Sequence, residues 1–205
     1  MSGPANSRRV VLATRNPGKV AELRRILTGR IDVHLVGLEH FPGVGDIAET
    51  GSTFVENALI KATAVAAATG LTAIADDSGL CVDALNGMPG VLSARWAGRH
   101  GDDLANLRLV LDQLADVPRD RRGAHFACAA AAVAPGRGER VAEATLEGYL
   151  LDRPQGSHGF GYDPVFVPGG GSRTTAELSA AEKDAISHRG KAFSTLVPLL
   201  AELLD

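Results

Sequence analysis

The stretch Ile74-Ala75-Asp76-Asp77-Ser78-Gly79-Leu80 sets two carboxylates, a hydroxyl and a glycine in succession at the end of an apolar run. Neighbouring residues of a strand point to opposite faces, so the two aspartates converge only if the chain bends, and Gly79 is the residue that permits a bend. Paired carboxylates are costly to desolvate unless a cation meets them, and a divalent metal carrying a phosphate is such a cation. A solvated Asp-Asp-Ser-Gly turn is the alternative reading at this point. Other chemistry-bearing groups recur along the chain. They are Thr14-Arg15-Asn16-Pro17-Gly18-Lys19, then Asp46 and Glu49 in a glycine-containing loop, then Lys61. Further on come Gly159-Phe160-Gly161-Tyr162-Asp163-Pro164, and Lys183, His188 and Arg189 within seven residues. Only four of the 21 basic residues are lysines (Lys19, Lys61, Lys183, Lys191), which singles these out as compact point charges suited to a phosphate.

The elements that must position these groups follow from periodicity. Residues 9–13 read as a buried strand. A polar loop follows, then a helix with Val20, Leu23, Ile26 and Leu27 at helical spacing. Pro17 suits the first turn of that helix, and a helix N-terminus after a strand is a ready anion site. An ordinary capped helix with a surface lysine is the alternative, and no Walker loop is present. Residues 31–38 read as a strand and 39–51 as a loop. The pattern Thr53-Phe54-Val55-Glu56 is a capping box that opens a helix over 54–69, closed by Gly70. A strand over 71–75 leads into the paired aspartates. Residues 81–85 read as a short strand turned by Asn86-Gly87, and 102–114 as a helix. Residues 124–134 and 140–150 read as an antiparallel pair joined at Pro135-Gly136-Arg137-Gly138. A strand over 165–167 follows. Ser179-Ala180-Ala181-Glu182 is a second capping box, and the last helix should kink at Pro198. Interleaved helices and strands followed by antiparallel strands predict an α/β fold with a mixed sheet.

Composition narrows the partners. The chain has 205 residues, 45% hydrophobic and 22% charged, which suits a soluble globular protein. Residues 1–8 read as a flexible tail and 9–205 as a single two-lobed domain. A net charge of −3 argues against broad attraction to nucleic acid or anionic membrane, and no apolar run is long enough to span a bilayer. Cys81 and Cys128, lacking Cys-x-x-Cys spacing, read as buried reduced thiols of a cytoplasmic protein.

Taken together, the candidate groups form the set a nucleoside triphosphate requires: cations and N–H groups for phosphates, carboxylates for Mg²⁺ and an aromatic ring for the base. The segments Thr14-x-Asn16-x-x-Lys19, Glu49-Thr50-Gly51-x-Thr53-Phe54-x-Glu56-Asn57-Ala58, Ala75-Asp76-Asp77-Ser78-Gly79-Leu80, Gly159-Phe160-Gly161-Tyr162-Asp163-Pro164 and Ser187-His188-Arg189-Gly190 run in order along nearly the whole chain. In these segments the chain resembles the Ham1-like inosine/xanthosine triphosphate pyrophosphatases.

That resemblance implies an elongated mixed central sheet with flanking helices, two lobes around an active-site cleft, Mg²⁺ dependence and a homodimer. It implies hydrolysis of ITP, dITP or XTP to the monophosphate and pyrophosphate, which keeps deaminated purines out of nucleic acids. The loop Thr14, Arg15, Asn16, Pro17, Gly18 and Lys19, together with Lys61, is then expected at the phosphates. Glu49 and Asp77 are expected to hold Mg²⁺, with Asp77 also orienting or deprotonating the water and Asp76 a candidate to share that task. Phe160 is expected to stack on the base, with Ser78, Gly161, Tyr162 and Asp163 lining the same site. Lys183, His188 and Arg189 are expected to face the nucleotide from the other wall, His188 and Arg189 donating to a keto oxygen at C6. A Maf-like pyrophosphatase of other specificity, a non-catalytic nucleotide sensor and an aspartyl-nucleophile phosphatase are the rival readings; the last would want an Asp-x-Asp pattern.

Overall fold

The structure is a computed structural model that describes residues 8–205; of the expected tail only Arg8 lies among them. The strands and helices are β1 (Arg9–Leu12), α1 (Pro17–Leu27), β2 (His34–Gly37), α2 (Phe54–Thr69), β3 (Thr72–Val82), α3 (Asp103–Gln113), β4 (Gly123–Ala134), β5 (Gly138–Leu150), β6 (Phe166–Pro168), α4 (Ala180–Ile186) and α5 (His188–Leu204). The six strands form one mixed sheet in the order β2-β1-β3-β4-β5-β6. β1 runs parallel to both β2 and β3, and β5 antiparallel to β6. The neighbours β4 and β5 are joined by a tight turn in which the Arg137 N–H donates to the Ala134 carbonyl at 3.0 Å.

Local chemistry sets the helix ends. The Asn16 side chain accepts from the Lys19 N–H and caps α1, with Pro17 as the first helical residue. Thr53 caps α2 by accepting from the Glu56 N–H, and the helix closes at Gly70 in the left-handed conformation (φ 68°). The reciprocal half of that expected capping box is shifted by one residue: Glu56 accepts from the Ser52 N–H and hydroxyl, at 2.6 and 2.8 Å. The second box is complete, with Ser179 and Glu182 capping α4 reciprocally. α5 carries Pro198 within it and runs on to Leu204.

The main departure from expectation lies in β3. No bend follows Ala75; the strand continues through Asp76-Asp77-Ser78-Gly79 and absorbs the short strand expected to begin at Cys81. Gly79 has no left-handed backbone angle. Its role is space: a Cβ there would lie 2.3 Å from the Gly90 carbonyl oxygen and 2.4 Å from Ser93 Oγ. Along the continuous strand each aspartate meets cations: Lys19 and Arg189 at Asp76, Lys61 at Asp77.

The chain divides into two compact units. The first comprises residues up to Asp77, Ala129–Glu143 and Arg189–Asp205; the second comprises Ser78–Cys128 and Ala144–His188. Each has its own core. In the first, Ala58, Ala62, Val65 and Ala66 of α2 pack with Val11, Ala73, Ala75, Ala129 and Ala131 of the sheet. The small side chains bring helix and sheet close together. In the second, Leu107, Val110 and Leu114 of α3 pack with Leu80, Val82, Phe126, Leu146, Leu150 and Phe166.

Candidate active site

In the first unit the paired aspartates serve two separate clusters. Asp77 accepts at 3.0 Å from the side-chain amide of Asn57, and its other oxygen lies 3.5 Å from Lys61 Nζ. Lys61 Nζ is in turn 2.6 Å from Glu49 Oε1. Asn57 and Lys61 stand one turn apart on α2, so one helix face reaches the same carboxylate twice. The Asn57 side-chain oxygen accepts from the Gly51 N–H at 2.8 Å, fixing the start of the helix relative to the loop that carries Glu49.

On the other side of β3, Asp76 lies 2.9 Å from Lys19 Nζ and 3.2 Å from Arg189 Nε. Arg189 also donates from Nη1 to Glu22 at 2.6 Å. Glu22, Asp76 and Arg189 are almost wholly buried, and Lys19 alone retains partial exposure. Thr14 accepts from the Asn16 N–H at 3.2 Å and so shapes the turn into α1. Arg15 leaves this cluster: its guanidinium donates to the Val44 carbonyl and lies 3.7 Å from Asp46. Asp46 is therefore Arg15's partner, while Glu49 is the loop acid beside Asp77.

These environments move the titrating groups in opposite directions. Burial alone would raise both aspartates. At Asp76 the charges of Lys19, Arg189 and Lys61 outweigh it and hold the carboxyl far below the usual range. At Asp77 burial wins over Lys61 and Lys19, helped by repulsion from Glu49, and the carboxyl is pushed up. Burial would lower the Lys61 ammonium, but Asp77, Asp76 and Glu49 together raise it. The pair is asymmetric because Lys61 faces three carboxylates, whereas Asp77 faces an acid as well as cations.

The second unit organises a loop around Asp163. Its Oδ2 accepts from the Phe160 N–H at 2.8 Å and from Lys183 Nζ at 2.6 Å. Gly159 has φ +77°, and a Cβ there would sit 2.1 Å from the same oxygen, so only glycine fits. The Lys183 ammonium lies 5.0 Å from the centroid of the partly buried Phe160 ring. Gly161 donates to Asp103 at 2.9 Å, and the Tyr162 hydroxyl donates to the Ser93 carbonyl at 2.9 Å. His188 is buried and stacks on Phe126 (centroids 4.8 Å apart, planes at 14°). Ser78 follows Asp77 on β3 and is partly buried. Of the expected group, Lys183 bonds to Asp163, His188 stacks on Phe126, and Arg189 bonds to Asp76 and Glu22.

The family model of the Ham1 family matches residues 10–199. The chain belongs to the Ham1 family. It is 61% identical over 197 residues to a protein of Streptomyces coelicolor named dITP/XTP pyrophosphatase, covering 96% of this chain and 98% of the relative. A Nocardia farcinica protein of the same name is 58% identical over 199 residues, with 96% and 97% covered. Among solved structures, the Ham1 protein of Coxiella burnetii superposes with a TM-score of 0.85 at 42% identity, covering 95% of this chain and 99% of that one. The nucleoside-triphosphatase / dITP/XTP pyrophosphatase of Mycobacterium abscessus does so with a TM-score of 0.75 at 55% identity, covering 93% and 99%.

Sequence reasoning passed over several residues that this Ham1-family chain uses to build its clusters. Glu22 lies one turn before Ile26 on the apolar face of α1, and an acid in that position was the available signal of a buried cation. Asn57 is a polar residue on the buried face of α2 beside Ala58 and Ala62. Ser93, Asp103 and Thr175 carry no signal of spacing. Among the described residues no cluster of three or more His, Cys, Asp or Glu could hold a metal by protein ligands alone. The donor chemistry of Glu49 and Asp77 nonetheless fits Mg²⁺, which takes one or two carboxylates and fills its remaining positions with water and phosphate oxygens.

Proposed function

We propose that this Ham1-family protein hydrolyses non-canonical purine nucleoside triphosphates, dITP, XTP and ITP, to the monophosphate and pyrophosphate. The observation that carries this reading is the convergence of Glu49 and Asp77 on Lys61 Nζ, at 2.6 and 3.5 Å, with Asn57 bracing Asp77. The names of the relatives from Streptomyces and Nocardia, dITP/XTP pyrophosphatase, support the substrate class. Glu49 and Asp77 would hold Mg²⁺, which supplies neutralisation of phosphate charge and a polarised water.

The chain's own groups divide the remaining work. Asp77, made more basic by burial, accepts the proton of the attacking water. Lys61 stays protonated and offers its charge to the phosphates. Lys19 offers its charge from α1, its ammonium held by Asp76, which Arg189 contacts in turn while bonded to Glu22. The loop of Thr14, Asn16 and Pro17 leads into the N-terminus of α1, where Gly18 adds a backbone N–H and Pro17 has none. In the second unit, Phe160 stacks on the purine, with Gly161, Tyr162 and Asp163 shaping the loop and Lys183 and His188 beside it.

Release of phosphate from dITP, XTP, ITP, GTP and ATP, measured colorimetrically with and without added inorganic pyrophosphatase, tests the reaction. Phosphate from dITP, XTP and ITP only when the pyrophosphatase is added is the expected result. Orthophosphate released without it, or equal turnover of ATP, overturns the reading. The protein is further proposed to act as a homodimer, the commonest soluble assembly. Light scattering at micromolar concentration should give twice the 21.3 kDa chain mass, and a value of one chain mass refutes the dimer. No helix among the described residues is long and apolar enough to cross a membrane. Cys81 and Cys128, buried and in no disulfide, support the proposed cytoplasmic location.

A further inference from the structure

We propose that Thr175, which lies outside every motif described above, is a positioning residue that sets purine selectivity by holding Asp163. The inference rests on the Phe160 loop taking the base. Asp163 is enclosed by its own chain. Its Oδ2 takes the Phe160 N–H and the Lys183 ammonium, and its Oδ1 takes the Thr175 hydroxyl at 2.8 Å. A carboxylate with both oxygens engaged in this way supports a loop and does not read a base. Both groups on Oδ2 matter to the base side: the Phe160 amide fixes where its ring begins, and the Lys183 ammonium stands 5.0 Å from that ring.

Thr175 is itself rigidly placed. It is 1% exposed, and its N–H donates to the Phe166 carbonyl at 2.9 Å, tying it to β6. The same hydroxyl lies 3.1 Å from the Asp163 carbonyl, and the Ala176 N–H reaches that carbonyl at 3.3 Å. A chain of contacts thus runs from β6 through Thr175 and Asp163 to Phe160 and Lys183. The terminal torsion of an aspartate has a broad, two-fold preference, so nothing intrinsic keeps this carboxylate in plane. The Thr175 hydroxyl supplies that constraint on Oδ1. Gly159 shows how little slack exists, since its backbone passes so close to Oδ2 that no Cβ fits. Without the hydroxyl the carboxylate can swivel, and the Phe160 amide and Lys183 lose their common anchor together.

The test compares T175V, which keeps the shape and removes the hydroxyl, with T175S, which keeps the hydroxyl. Steady-state kinetics with ITP and ATP are read alongside thermal unfolding. T175V should raise KM for ITP about tenfold, the scale of one lost hydrogen bond to a charged group. Its kcat should stay within about twofold and its preference for ITP over ATP should fall, while T175S should stay close to wild type. Wild-type KM and preference in T175V overturn the proposal. So does an equal loss on both nucleotides that tracks a lowered melting temperature, or a T175S as impaired as T175V. Should T175V fail to fold, T175A against T175S carries the same comparison. The wild-type Phe160 amide must also be protected from hydrogen exchange, and a freely exchanging amide overturns the proposal. A wild type that releases no pyrophosphate from ITP refutes the activity; an active wild type with an indifferent T175V refutes this inference alone.

Discussion

Asp76 and Asp77 share a peptide bond, yet they sit in opposite electrostatic states. Alternation along a strand sends them to different faces, where Lys19 and Arg189 keep Asp76 ionised and burial makes Asp77 a better base. Only Asp77 combines raised basicity with a neighbouring carboxylate, so it is the one expected to carry the chemistry. D77N should lower kcat by about 10²–10⁴, the range a positioned base contributes, while nucleotide affinity stays within about tenfold. Single-turnover kinetics and equilibrium binding check this, and near wild-type turnover would remove Asp77 from the mechanism. Lys61 and Lys19 give a contrasting pair. K61A should weaken triphosphate binding and cost less stability than K19A, because Glu49 is partly exposed and rehydrates and Asp77, whose carboxyl burial already pushes up, can take a proton. K19A should weaken binding and also destabilise the fold, because Asp76 is wholly buried and would keep only Arg189, which it shares with Glu22. Equal melting temperatures for the two variants would refute this distinction.

At the scale of elements, β3 is where sequence and structure part company, and Gly79 is the reason to look there. Its invisible side chain leaves room for the Gly90 carbonyl and Ser93 Oγ, which also accepts from the Leu80 N–H at 2.9 Å. G79A would drive a methyl into both, an overpacking that costs about 1–3 kcal/mol. Its melting temperature should fall while the far-ultraviolet circular dichroism is kept; an unchanged melting temperature would show that the Gly90–Ser93 segment gives way freely. The sequence shows a glycine shortly after two aspartates but not what approaches it from eleven and fourteen residues further on, which is why it predicts a bend there. The ends of α2 were legible because capping is local: Thr53 and Gly70 act within a turn of themselves. The acidic and basic members of the first unit's clusters were legible as residue types. Their pairing was not, since Arg189 meets Glu22 across 167 positions and no local pattern encodes such a meeting. Asp163 was legible as part of a motif. Its use as the peg around which the Phe160 loop is wound was not, because that depends on Lys183 and Thr175 arriving from later segments.

For the molecule as a whole, the same two aspartates should govern how stability responds to acid. Asp76 has a folded value below its unfolded one, near 3.9. Its contribution is therefore fully present above that pH and is lost as the pH falls through and below it. Asp77 has the opposite sign. Its folded value is raised, so ionisation costs stability at neutral pH, and protonation relieves that cost as the pH falls toward the unfolded value. Glu182, held down to about 2 by Arg173 and Ser179, acts in the same direction as Asp76 but is fully exposed and weighs little. The melting temperature measured in chelator at fixed protein concentration should therefore hold level between about pH 7 and pH 5 and drop steeply below about pH 4. D77N should melt at or above wild type at pH 7.5, where its neutral amide avoids the burial cost and can still accept from Asn57. That advantage should shrink as the pH falls toward the unfolded value, where wild-type Asp77 takes up its proton. D76N should do the reverse, melting well below wild type at pH 7.5 because Lys19 and Arg189 face an uncharged partner, with the gap closing in acid. If D77N were instead destabilised most at neutral pH, attraction to Lys61 would outweigh burial and the basicity assigned to Asp77 would be lost with it.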